Sequence, residues 1–121
     1  MPTPQAQVLK LQEVSTHLLA ALEAHRQAKA AHDQARDRYD DQRQRLVLAG
    51  IPGIRERCPA EEREAHLGCA LKPELAALRS ARDTLRNAEM HLEAARVIER
   101  AERETLRSLQ RDWELPASRA G

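Results

Sequence analysis

The sequence predicts an all-α protein: a long antiparallel coiled-coil helical hairpin with a short helix at its tip, pairing with a second copy into a four-helix bundle. Three observations predict it. Apolar and small residues recur every seven positions along two long stretches. Proline and glycine fall only at the ends of those stretches and in the segment between them. No run of β-branched residues alternates with polar ones, so no strand is expected.

The first helix is expected over residues 4–49. Thr3 can cap it, and Pro4 suits the first helical position, where a missing N–H costs nothing. Gly50-Ile51-Pro52-Gly53 ends it, at a length of roughly 65 Å. One seam position is held by Leu11, Leu18, His25, His32, Tyr39 and Leu46, the other by Val14, Ala21, Ala28, Ala35, Gln42 and Ala49.

Residues 50–72 form the tip, with a short helix at 59–67. Pro59 opens it, Glu61 and Glu62 complement the dipole of its first turn, and Gly68 ends it. Pro73 then opens the second long helix, 73–114, which stops before Pro116 and leaves 115–121 to fray. Its seam alternates Leu78, Leu85, Leu92, Leu106 and Trp113 with Ala81, Ala88, Ala95 and Leu109. Pairing residues whose numbers add to 120 sets His25 on Ala95, Ala28 on Leu92, His32 on Ala88, Ala35 on Leu85 and Tyr39 on Ala81. Large meets small in five consecutive layers.

Composition bounds the function. At 121 residues the chain is a single domain, 1–121. Of its 50 hydrophobic residues 21 are alanine, and Phe is absent, so a lone hairpin has little with which to fill a core. Net charge is +1, from 20 basic and 19 acidic residues, so no overall field attracts nucleic acid or membrane. Arginine outnumbers lysine 17 to 3, as in proteins of GC-rich bacterial or phage genomes. No apolar stretch reaches the ~20 residues of a membrane span, and the N-terminus lacks a secretory pattern, so the expected location is cytoplasmic.

Two clusters are candidates for chemistry. His25 and His32 lie seven apart on the seam, with Glu99 and Glu102 approaching from the facing helix near Ala21 and Leu18. Seven residues separate the imidazoles by ~10 Å, too far for one metal. They read as a polar seam layer that sets register, with His25 bonded to Glu99 or a water. At the tip, Cys58, His66 and Cys69 allow three readings: reduced thiols, a disulfide closing the tip, or a partial zinc site short of a fourth ligand. No cofactor is expected. No phosphate-binding loop, zinc-protease motif or nucleophile elbow occurs, and a thin hairpin has no interior to exclude water, so no enzymatic activity is expected.

Two further sets point to partners. Leu19, Leu22, Val97 and Ile98 widen the apolar arc beyond the seam at the open end, which predicts self-association as a homodimer. Ile51 and Ile54 mark the tip turn as a contact for a protein partner, unless they pack on Leu67 and Leu71. The function expected is a non-enzymatic, self-associating scaffold or adaptor. The alternatives are a nucleic-acid-binding regulator using the arginines near the tip, or a thiol- or zinc-responsive regulator using the cysteine–histidine cluster.

Overall fold

The computed structural model describes residues 3–50 and 59–120, with side chains through Asp112. It is an all-α helical hairpin of three helices: α1 (Pro4–Ala49), α2 (Ala60–Ala70) and α3 (Lys72–Ala120). The start of α1 is built as its sequence requires. The Thr3 hydroxyl accepts the Ala6 N–H at 3.1 Å, and the Thr3 carbonyl accepts the Gln7 N–H at 3.0 Å. At its other end Gly50 takes φ +90°, the left-handed conformation that glycine adopts without steric cost.

The second arm differs from expectation. Gly68 does not end the tip helix, because α2 runs on to Ala70. The Leu71 N–H bonds to the Leu67 carbonyl and the Leu75 N–H to the Leu71 carbonyl, both at 2.9 Å, so helical bonding carries across the junction into α3. Pro73 has no N–H to continue the ladder and sits in the first turn of α3, where that loss is tolerated. Residues 50–59, rather than 50–72, therefore separate the two arms. At the far end α3 continues through Pro116 to Ala120, where a stop and a frayed tail were expected. A proline there removes one backbone donor, and the following Ala-Ser-Arg-Ala carries no stop signal of its own.

The chain divides into two compact units, each holding part of α1 and part of α3: residues 1–25 with 88–121, and residues 26–87. Burial follows the heptads in both. In the second unit Leu46, Leu67 and Leu71 form a core against which Tyr39 and Ala70 pack; Leu71, at the α2–α3 junction, is 2% exposed. Ala28 and Leu78 are also buried there. Glu74 occupies a seam position one turn after Leu71. Its buried Oε2 makes no hydrogen bond among the described residues, so this layer contributes less than an apolar one would.

The expected register is corrected in both units. Tyr39 packs against the cluster of Leu46, Leu67 and Leu71, not at the level of Ala81. In the first unit Ala95 shares a groove with Val14, His17 and Ala21, not with His25. The displacement is about one heptad, and the shorter connection between the arms causes it. A seven-residue shift leaves the alternation intact: Leu18 then meets Ala95, Ala21 meets Leu92, His32 meets Ala81 and Ala35 meets Leu78.

Opposite effects are expected at two neighbouring positions. Leu71→Ala opens a cavity in the best-buried layer and should cost about 3 kcal/mol in thermal or urea unfolding. A Cβ added at Gly68 meets nothing within 4 Å, so Gly68→Ala should stabilise by about 0.5–1 kcal/mol through helix propensity alone. A loss of stability in Gly68→Ala would contradict a continuous α2.

Candidate self-association surface

The first unit contains the residues that sequence reasoning assigned to assembly. Its seam begins with a polar layer. Gln7, 4% exposed, is the buried polar residue among those described. Its side-chain amide donates to the Glu102 carbonyl at 3.0 Å and to the Glu102 carboxylate. Lys10 Nζ lies 3.3 Å from the same carboxylate. Glu102 therefore sits level with Gln7 and Lys10, a full heptad from the Leu18 level expected. The Gln7 amide and the Lys10 ammonium hold its carboxyl below the ordinary glutamate range, against the upward push of partial burial.

The four expected seam residues do not converge. Glu99 pairs with Arg103 on its own helix. His25 Nε2 faces Glu89 at 3.9 Å rather than Glu99. In the second unit His32 lies 3.8 Å from Asp33, its sequence neighbour. The heptad shift separates them, since it carries Glu99 and Glu102 toward the N-terminus of α1. Gln7 was overlooked in sequence, although it continues the Val14–Ala21–Ala28 seam position by one heptad.

Beside the seam an open groove of about 320 Å³ is lined by Val14, His17, Ala21, His91, Ala94, Ala95 and Ile98. It places His17 of α1 on the same flank as His91 and Ile98 of α3. Leu19 and Leu22 do not line it. They follow the heptad positions of α1 on the opposite flank, where His25 meets Glu89. Val97 points away from the seam, as does Met90 seven residues earlier. All of these are exposed: Leu19 by 67%, Ile98 by 51% and Met90 by 71%. The four residues expected to form one association surface are thus all free, but they flank the seam on different sides.

The second unit holds the other candidates. His66 is half-exposed, with Nε2 3.9 Å from Glu62 on its own helix, and Cys69 is an exposed free thiol. Cys58, Ile51 and Ile54 lie outside the described residues. Among the described residues no three His, Cys, Asp or Glu side chains are grouped to hold a metal. Val47 and Leu48, on the last turn of α1, are exposed and border a shallow hollow with Asp40, Arg43 and Gln44. Sequence reasoning missed this pair because it lies outside the seam repeat. The surface ladders are local: Arg45 with Asp41, Arg36 with Asp33 and Arg107 with Glu104. Each contributes a few tenths of a kcal/mol at most. No helix among the described residues is long and apolar enough to cross a membrane.

Because the folded-state pKa of Glu102 is lowered, its contribution to stability is present above the ordinary glutamate pKa and is lost as pH falls through the folded value. The melting temperature of the native chain should exceed that of Glu102→Gln at about pH 7, and the gap should shrink as pH falls below the ordinary glutamate range. A gap independent of pH would contradict the Gln7–Glu102–Lys10 contact. Compared with family models, curated proteins and solved structures, the chain matches none.

Proposed function

We propose that the chain is a non-enzymatic scaffold or adaptor that self-associates through the unit formed by residues 1–25 and 88–121. One observation carries the reading. This unit leaves Leu9, Leu19, Met90, Val97 and Ile98 exposed, while alanine and polar residues take about half of its own seam. Helices apolar over more than one stripe are ordinarily covered on more than one side. A second hairpin supplies that cover and completes a four-helix bundle, the simplest closed assembly for such a unit. In this reading Ile51 and Ile54 contact a macromolecular partner, and Val47 and Leu48 on the last turn of α1 are exposed for the same use.

The test is molar mass by light scattering across the micromolar range. The reading predicts a mass of two chains that falls toward one only on strong dilution. A single-chain mass at every concentration would overturn it.

A further inference from the structure

The apolar residues of the first unit are unevenly surrounded, and the asymmetry selects one flank. Along α3, the row His91, Ala94, Ile98, Ala101, Thr105 and Ser108 borders the seam on the groove side, and every member is exposed and uncharged. The row on the other side is Glu89, Glu93, Arg96, Arg100, Arg103 and Arg107, and every member is charged. In a chain with 32% charged residues, such a division along one helix is a segregation by flank. On α1 the groove flank continues through His17, Ala20 and Ala24, with charge at Lys10 and Glu13 toward the N-terminus. Leu19 and Leu22 lie on the flank with the charged row, where arginine stems can cover them.

We infer that the uncharged α3 flank, centred on Ile98, is the surface on which a second copy of this chain packs, antiparallel and about a two-fold axis through Ile98. The inference rests on the self-association reading and names its surface. A two-fold contact must be self-complementary: wherever residue i meets j, j must also meet i. The row meets that condition around Ile98. One step out on either side are Ala94 and Ala101. The next step has His91 on one side and Thr105 on the other. Antiparallel pairing therefore sets Ile98 on Ile98, Ala94 on Ala101 and His91 on Thr105.

The chemistry of each layer fits. Alanine facing alanine lets the two helices approach to the near end of the 8–10 Å interaxial range. The Thr105 hydroxyl donates to the Ala101 carbonyl at 3.0 Å, which leaves its oxygen lone pairs to accept an N–H from His91 of the second copy. Along the α3 row no charge is buried, so that part of the contact avoids the desolvation cost that pairing the opposite flank would carry, while Lys10 and Glu13 lie on the adjoining α1 edge.

The area is sufficient. His91 to Ser108 spans about 27 Å at 1.5 Å per residue. With the adjoining edge of α1, a helix pair presents a flank about 20 Å wide. Each copy then contributes roughly 500–600 Å², and the two together about 1,100 Å², above the ~1,000 Å² that a specific interface needs.

The experiment uses the full chain with Cys58→Ser and Cys69→Ser as its background. A cysteine at the two-fold axis meets its own copy, so adding Ile98→Cys should give a disulfide-linked dimer on mild oxidation. Adding Leu19→Cys should not. In parallel, Ile98→Glu and Ala101→Arg, each made alone in the native chain, should raise the dimer dissociation constant at least ~100-fold with helical circular dichroism unchanged. That factor corresponds to about 2.7 kcal/mol. Leu19→Glu should leave the dissociation constant within threefold. A native dimer that survives both Ile98→Glu and Ala101→Arg, or that cross-links through Leu19→Cys and not Ile98→Cys, overturns this surface and leaves self-association standing. A native monomer overturns both.

Discussion

The fold depends on a seam of large residues set against small ones, repeated every seven positions. Alanine opposite leucine or histidine lets two helices lie close along a great length using few bulky side chains. The same economy makes the seam degenerate. A slip of one heptad returns large to small in the central layers, from Leu18 on Ala95 to Ala35 on Leu78, so the apolar pattern there specifies flank and direction but not level. What sets the level is something other than the apolar alternation. The Leu67–Leu71–Leu75 bonding that joins α2 to α3 shortens the connection between the arms. In the first unit the Gln7–Glu102 contact has no equivalent one heptad away, because Val14 stands at the next seam position and has no side-chain donor for that carboxylate. A polar layer at a seam position is the device by which coiled coils fix register.

Much of the fold was legible in sequence, for identifiable reasons. The cap at Thr3, the start at Pro4 and the glycine after Ala49 are local signals, and local physics decides them. Every position buried along α1 and α3 belongs to a heptad seam. The errors arose where a local signal competed with helix continuity. Gly68 reads as a terminator, yet Ala65, Leu67, Ala70 and Leu71 around it are strong helix formers, and one glycine costs only about 1 kcal/mol. The level of the two arms was misplaced because large meets small equally well one heptad away, and that displaced the partners of His25, Glu99 and Glu102 together.

The candidate site was legible by residue type and not by arrangement. Leu19, Leu22, Val97 and Ile98 stand exposed, and their surplus over the seam is visible in sequence. Their division between flanks is not, until the level and side of each helix are known. The groove that unites His17 with His91 and Ile98 supplies that knowledge. It also converts a list of apolar residues into a choice between a neutral flank and a charged one. In the proposed assembly the surface is selected less by total exposed hydrophobicity than by where charge has been kept away.

The central claim is the register, because the buried polar contact and the composition of each flank both follow from it. Disulfide trapping in a chain lacking Cys58 and Cys69 tests it most directly. Ala95→Cys should form an intramolecular bridge rapidly with Leu18→Cys and slowly or not at all with His25→Cys, since Ala95 lies among Val14, His17 and Ala21. Preferential bridging of Ala95→Cys to His25→Cys would place the arms one heptad away and contradict the account.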